Sequence, residues 1–128
     1  MVEKGYCDVI NKSKGKLPSL PFDSIKEKIL GPKYKLELIF LTPNAQKKIN
    51  SKYRNIDTTT NILSFPLSSS LGQIIMDPIK IRGDATLFGM TYPKFLKYLF
   101  IHGLLHLKGF EHSSKMEREE KKYLKFFS

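Results

Sequence analysis

The sequence predicts an α+β domain, in which a small mixed β-sheet of about four strands packs with helices. Three observations support this fold class. Some segments alternate apolar and polar residues, as half-buried strands do, and others repeat apolar residues at helical spacing. The two kinds of segment do not alternate strictly along the chain. At 128 residues, 41% hydrophobic and 27% charged, the chain suits one core but not two, so residues 1–128 are expected to form a single domain.

Four short segments are predicted to be strands. The first is the loosely alternating GYCDVIN, and the second is KLELIFL, in which Leu36, Leu38 and Phe40 share one face. NILSFP and GQIIM are expected to form two further strands, joined by the turn-prone SSSLG. The four segments cover residues 5–11, 35–41, 61–66 and 72–76.

Apolar spacing and end signals predict three shorter helices. The first covers residues 21–30 and is stopped by Gly31. A second begins at Thr42, a residue type that caps helix N-termini. A third is expected around residues 79–88, where Gly83 in the interior lowers the helix propensity.

The strongest helical pattern begins at Thr91 and runs to about Lys108. This segment is apolar on nearly every side, so it should be the buried central helix of the domain. Gly109 is expected to end it. Ser114-x-x-Glu117 has the form of a capping box and is expected to open a last helix.

Charge and composition limit the classes of protein to consider. The net charge is +10, from 22 basic and 12 acidic residues, which attracts polyanions such as nucleic acids. Only Arg54, Arg82 and Arg118 are arginines, and the lysine excess could instead reflect A/T-rich codon usage. No apolar run is long enough to cross a bilayer, the N-terminus has no signal-peptide pattern, and the single Cys7 cannot form an internal disulfide. We therefore expect a cytoplasmic protein with no membrane partner.

The three histidines of the chain all lie in the segment HGLLHLKGFEH. His102 and His106 are four residues apart, so on a helix both can reach one ion at about 2.0–2.1 Å. Gly109 can take the positive φ that turns the chain back, which would let His112 supply a third ligand. Three imidazoles leave a fourth position open, as in catalytic zinc sites. The alternative is that these are hydrogen-bonded core residues, and three imidazoles would also bind nickel or copper.

The spacing of these histidines matches the metalloprotease signature H-E-x-x-H-x-x-G-x-x-H at every position except one. Gly103 stands where the protease has its glutamate general base. Without that carboxylate, the usual route for activating water against a peptide is missing. The pattern therefore favours a zinc site for hydrolysis but argues against a protease.

Arg54, in YRNIDTTTNILSFP, is the candidate catalytic residue outside the histidine segment. Its guanidinium is planar and permanently charged, with N–H groups spaced to contact two phosphate oxygens or to stabilise charge that develops on phosphorus. A salt bridge to Asp57 three residues later is an equally good explanation of the same residue.

HGLLHLKGFEH, preceded by TNILSFP and the LGQI strand, resembles the YbeY family of single-strand-specific bacterial endoribonucleases. The resemblance implies that His102, His106 and His112 hold a zinc ion and that Arg54 is the functional arginine. It implies a zinc-dependent endoribonuclease that acts in ribosomal RNA maturation, notably at the 3′ end of small-subunit RNA, and in ribosome quality control. The expected partners are then single-stranded ribosomal RNA and ribosomal proteins or ribosome-associated factors.

The chain departs from the family pattern at three positions. Glu111 precedes the third histidine in place of the usual aspartate, Gln73 replaces an acidic residue on the LGQI strand, and Phe110 replaces the more usual tyrosine. If either acidic residue orients a metal ligand, its change could shift the metal affinity.

Two other functions stay open at this point. One is a non-catalytic module that binds RNA or the ribosome and uses zinc only for stability, against which the open fourth coordination position counts. The other is a metalloprotease-like hydrolase, against which Gly103 counts. Lys108 and Lys115 are expected to help hold an RNA backbone, with plain solvated surface as the alternative.

Overall fold

The computed structural model describes residues 6–53 and 61–128. Within these ranges the chain forms four strands and five helices, in the order that the sequence predicts. In chain order they are β1 (Cys7–Asn11), α1 (Phe22–Leu30), β2 (Lys35–Phe40), α2 (Pro43–Tyr53), β3 (Ile62–Ser68), β4 (Leu71–Met76), α3 (Pro78–Leu87), α4 (Tyr92–Lys108) and α5 (Ser114–Phe126).

The strands form one mixed sheet in the order β1-β2-β4-β3. β1 pairs with β2, and β2 with β4, in parallel, whereas β3 pairs antiparallel with β4. β3 lies at the edge of the sheet. An edge strand tolerates Pro66, because a residue without an N–H need not cost a hydrogen bond between two strands there. β3 runs on to Ser68, so the turn to β4 is shorter than predicted. The predicted α+β fold with a mixed sheet is confirmed.

One face of this sheet carries the core. Leu36, Leu38 and Phe40 are fully buried, as their shared face predicts. On the neighbouring strand β4, Ile74 and Met76 are also fully buried. Helix α4 packs against β3 and β4, and it also contacts α1, α3 and α5. It is therefore the central helix that the sequence predicts.

Both ends of α4 are set by local sequence. The Thr91 side chain accepts a hydrogen bond from the backbone N–H of Lys94. At the other end Gly109 has φ 109°, and the next N–H, that of Phe110, reaches back to the carbonyl of Leu105 at 3.0 Å. This is a Schellman ending, which favours glycine because its backbone takes a positive φ. Among the described residues, no helix is long and apolar enough to cross a membrane.

Helix α3 forms where the sequence predicts it, with Gly83 in its interior. The residue that caps its N-terminus, Asp77, was not predicted from the sequence. The carboxylate of Asp77 accepts hydrogen bonds from the N–H groups of Ile79 and Lys80, both at 3.1 Å. Pro78 takes the first helical position, where a missing N–H does no harm.

The predicted cap of α5 is wrong by one residue. Ser113, not Ser114, is the N-cap: its backbone is extended and its hydroxyl accepts from the N–H of Met116 at 3.2 Å. Ser114 is already the first helical residue, so Glu117 stands one position too late for the predicted capping box. Two adjacent serines offer the same hydroxyl, and only the backbone conformation decides which one caps.

Candidate metal centre

The structure brings the three histidines together. Taking one ring nitrogen from each, the potential ligand atoms of His102, His106 and His112 all lie within 4.8 Å of one another. The ring centroids are 4.5 Å apart for His102 and His106, 5.0 Å for His102 and His112, and 4.6 Å for His106 and His112. The cluster could hold a metal ion.

Local structure explains this convergence. His102 and His106 lie one turn apart on α4, and the left-handed turn at Gly109 brings His112 back toward them. His102 is buried, at 8% exposure, while His106 is half-buried and His112 is exposed. The cluster is therefore anchored in the core on one side and reaches the surface on the side of His112.

The hydrogen bonds of His102 and His106 define which ring nitrogen of each carries the proton. Nδ1 of His106 lies 3.1 Å from the carbonyl oxygen of Phe110, which can only accept, so this Nδ1 carries the proton. Nδ1 of His102 lies 3.0 Å from Oε2 of Glu120 and donates to it. In neutral imidazoles both Nε2 atoms then present lone pairs.

These two Nε2 atoms face each other at 3.0 Å. Two acceptors at that distance repel each other, and a cation beside both removes the repulsion. Two nitrogens bound to one tetrahedral zinc at about 2.0–2.1 Å would lie about 3.3 Å apart. The donor set and its spacing therefore fit one zinc ion.

Glu120, on α5, contacts the histidine cluster but is not among the site residues that the sequence predicts. It is buried, at 4% exposure, in direct contact with His102. Burial acts to raise the pKa of Glu120, but hydrogen bonds from His102 and Tyr98 and the nearby charge of His112 outweigh it, so the net pKa is lowered. Burial, together with the Glu120 carboxylate, raises the pKa of Tyr98 to about 12, so its hydroxyl stays protonated and donates. A signal was present, because Glu120 interrupts the apolar stripe of α5 that includes Met116.

Gly103 is placed where helix and sheet approach most closely. A Cβ at this position would lie 3.0 Å from Cδ1 of Ile62 and from Oγ of Ser64, and 3.1 Å from Cδ1 of Ile74. A longer side chain at position 103 would be directed into the sheet. The hydroxyl of Ser64 also donates to the carbonyl of Gly103 at 3.4 Å.

Of the three departures from the family pattern, Phe110 supports His106, but only through its backbone carbonyl, which a tyrosine would also offer. The other two, Gln73 and Glu111, lie away from the supports of the histidines. Gln73 points to the sheet face opposite Gly72 and Ile74, the two residues that contact α4, and its amide donates to Glu37 at 3.3 Å. Glu111 is exposed. Neither Gln73 nor Glu111 makes a hydrogen bond to a histidine ring like the one that Glu120 makes.

The remaining predicted site residues are placed as follows. Arg54 and its alternative partner Asp57 lie outside the described residues. Lys108 and Lys115 are both exposed, and the ammonium of Lys115 lies over the ring of Phe110, 5.6 Å from its centroid.

Fold and cluster together define a class of protein: an α+β domain with three histidines that could hold a metal ion at the end of a buried helix. Residues 16–127 match the family model described as Endoribonuclease YbeY, and the chain belongs to this family. Membership supports a nuclease activity, that is, a hydrolase activity.

Two curated relatives and one solved structure illustrate the likeness. The chain is similar to endoribonuclease YbeY of Sulfurimonas denitrificans, at 39% identity over 100 residues that cover 73% of this chain and 72% of the relative. It is 36% identical to endoribonuclease YbeY of Campylobacter jejuni over 107 residues, covering 77% and 79% of the two chains. It is also similar to a Thermotoga maritima protein solved in solution, with a TM-score of 0.68 and 27% identity over 94% of this chain and 87% of that one.

Proposed function

We propose that this protein is a zinc-dependent, single-strand-specific endoribonuclease that acts in ribosomal RNA maturation, at the 3′ end of small-subunit RNA, and in ribosome quality control. The observation that carries the proposal is the pair of facing Nε2 atoms, 3.0 Å apart, with His112 beside them at the surface. Histidines that are already hydrogen-bonded through Nδ1 are set up as metal ligands. Membership of an endoribonuclease family supports RNA as the substrate.

His102, His106 and His112 would hold the ion, and a fourth position on the surface side would be left for substrate or water. Zinc bound there would supply Lewis-acid activation of water and of a phosphoryl oxygen. Zinc is proposed because three histidines with an open fourth position are the ligand set of catalytic zinc sites, and nickel and copper are the alternatives. Metal analysis of purified protein by mass spectrometry distinguishes the three.

Arg54 is proposed to stabilise the charge that develops on the phosphoryl oxygens, because a guanidinium can contact two of them at once. Lys108 and Lys115 are proposed to hold the RNA backbone on either side of His112 in the chain. A net charge of +10 would draw a polyanion to the protein and make its binding sensitive to salt.

Peptides are disfavoured as substrates by position 103. A leaving amine must be protonated, and Gly103 has no group that could transfer the proton. The packing at this position adds a structural reason, because the Cβ of a glutamate there would lie 3.0 Å from Cδ1 of Ile62 and 3.1 Å from Cδ1 of Ile74, directed at the sheet. The proposed partners are single-stranded ribosomal RNA and either ribosomal proteins or ribosome-associated factors, which would place the protein in the cytoplasm.

The test uses one end-labelled RNA, supplied as an unstructured strand and annealed to its complement, with casein as a third substrate. We expect cleavage of the single strand, weaker cleavage of the duplex, and none of casein. A chelator should abolish cleavage and added zinc should restore it. RNA binding without any cleavage would favour the non-catalytic module, and casein hydrolysis with intact RNA would favour the protease-like hydrolase.

The role of Arg54 is tested separately. Arg54→Ala should retain zinc and lose cleavage by roughly 10²–10³ in rate, as when one oxyanion donor is removed. Arg54→Lys should restore only part of the rate, because a point charge cannot make the two-pronged contact. Arg82→Ala is the control, since Arg82 is exposed on α3 and outside the proposed site. Unchanged cleavage by Arg54→Ala, together with lower thermal stability, would identify the salt bridge to Asp57 as the real role.

A further inference from the structure

We propose that Glu120 and Tyr98 are positioning residues, which hold His102 in the tautomer and orientation that direct its Nε2 at the metal. This inference rests on the proposed metal site. It adds to that site a buried contact, in which the carboxylate of Glu120 accepts from Nδ1 of His102. The half-buried Tyr98 lies one turn before His102 on α4, with its ring stacked at 6.5 Å from the imidazole and its hydroxyl interacting with Glu120.

The contact between Glu120 and His102 is short and shielded from water. Oε2 of Glu120 lies 3.0 Å from Nδ1 of His102, and the two side chains are 5% and 10% exposed. A carboxylate buried without a partner is strongly unfavourable, so this one depends on the donor that His102 supplies. The carboxylate in turn fixes the proton on Nδ1, because it accepts and does not donate.

The supports of the two α4 histidines differ in kind. His106 donates its Nδ1 proton to a backbone carbonyl, that of Phe110, whereas His102 donates to a carboxylate. A carboxylate partner makes an imidazole more basic and so a stronger ligand than a neutral carbonyl does. We therefore expect His102 to be the strongest ligand of the cluster. A side-chain substitution can remove the carboxylate, but none can remove the carbonyl.

The same contact links the metal to the docking of α5. Glu120 lies on the buried side of α5, with Met116 one turn before it and Tyr123 almost one turn after it. Whatever holds α5 against α4 therefore also holds the carboxylate against His102. By linkage, metal binding should stabilise the docked position of α5 as much as docking raises the metal affinity.

The test compares Glu120→Gln, Glu120→Ala and Tyr98→Phe with Glu117→Gln as the matched control. Glu117 is exposed one turn before Glu120 on α5, so its replacement removes the same charge without touching His102. Zinc affinity is measured on the purified full chain by competition with a chelator. The side-chain nitrogen chemical shifts of His102 report its tautomer in metal-free and zinc-loaded protein, and circular dichroism checks that each variant folds.

Glu120→Ala should lower zinc affinity by about 10–100-fold, the range typical of removing a partner of a metal ligand. Glu120→Gln should lose less, because its amide oxygen can still accept from Nδ1, and Tyr98→Phe should also lose affinity while keeping the carboxylate. Glu117→Gln should bind zinc as the unmodified protein does. The metal-free protein should show the proton of His102 on Nδ1, and Glu120→Ala should lose that preference.

Unchanged zinc affinity and an unchanged His102 tautomer in Glu120→Ala would overturn the inference. Should Glu120→Ala fail to fold, unchanged affinity in both Glu120→Gln and Tyr98→Phe would overturn it instead. Failure of the proposed function is a different result. A protein that binds zinc through His102, depends on Glu120 for affinity and leaves RNA intact would retain the positioning role but lose the nuclease assignment.

Discussion

Replacing Gly103 by alanine would insert a methyl group where α4 lies against the sheet. The new Cβ would stand 3.0 Å from Ile62 and Ser64 and 3.1 Å from Ile74, closer than the ordinary carbon contact of about 3.5–4.0 Å. Both isoleucines are fully buried, so neither can turn out into solvent. These side chains, or the helix itself, would have to shift by a few tenths of an ångström.

The size of the effect follows from two opposed contributions. Forcing an extra methyl group into a packed core costs about 1–3 kcal/mol. Alanine is favoured over glycine inside a helix by about 1 kcal/mol, which offsets part of that cost. We expect Gly103→Ala to lower the free energy of unfolding by up to about 2 kcal/mol, and to weaken zinc binding because His102 is its neighbour on the helix.

Urea unfolding of Gly103→Ala and Gly83→Ala gives the comparison. Gly83 lies inside α3 with nothing within 4 Å of an added Cβ, so the same substitution there should raise the stability by about 0.5–1 kcal/mol. The two variants should therefore differ in sign. A Gly103→Ala protein stabilised as much as Gly83→Ala would show that close approach to the sheet is not the reason for glycine at this position.

Three further predictions concern other positions. Gly109→Ala should cost about 1–2 kcal/mol in urea unfolding, because its φ of 109° strains any residue with a Cβ; no loss would contradict the role given to this turn. Ser113→Ala should cost about 1 kcal/mol by the same assay and Ser114→Ala almost nothing, and the reverse order would restore the predicted cap. Burial raises the pKa of the Cys7 thiol from 9.0 to about 12, so alkylation at pH 8 should be much slower in the folded than in the urea-unfolded chain, and equal rates would contradict it. Because the folded-state pKa is the higher one, this thiol's contribution to stability is complete below about pH 9 and is lost as the pH rises toward 12.

The parts of the site that depend on neighbouring residues could be predicted from the sequence. His102 and His106 are one helical turn apart, and a glycine three residues later is enough to indicate where His112 returns. The strands followed from apolar alternation, although the end of β3 did not, because Pro66 is tolerated only on an edge strand and the strand order is not readable from the sequence. The cap of α5 was misplaced because the choice between Ser113 and Ser114 depends on backbone angles.

The interruption of the apolar stripe marks Glu120 as unusual, but its contact with His102 could not be predicted from the sequence. Its contact with His102 joins residues eighteen positions apart and exists only when α5 packs against α4. In the sequence Glu120 is one of four glutamates between positions 111 and 120. The family pattern singles out Glu111 instead, because it precedes the third histidine, but Glu111 is exposed. Burial is the property that separates these glutamates, and burial is decided by tertiary packing.

The histidine cluster and its described supports all come from one continuous stretch, from Tyr98 to Glu120. Residues close in sequence lose little entropy when they are brought together, so the helix, the turn and the next helix can form this arrangement at small entropic cost. The sheet acts on it at a distance, by fixing α4 through the contact at Gly103. Substitutions on the sheet should therefore change the metal affinity only by moving the whole helix. Substitution of Glu120 on α5 should change the metal affinity through its single hydrogen bond to His102, with the position of α4 preserved.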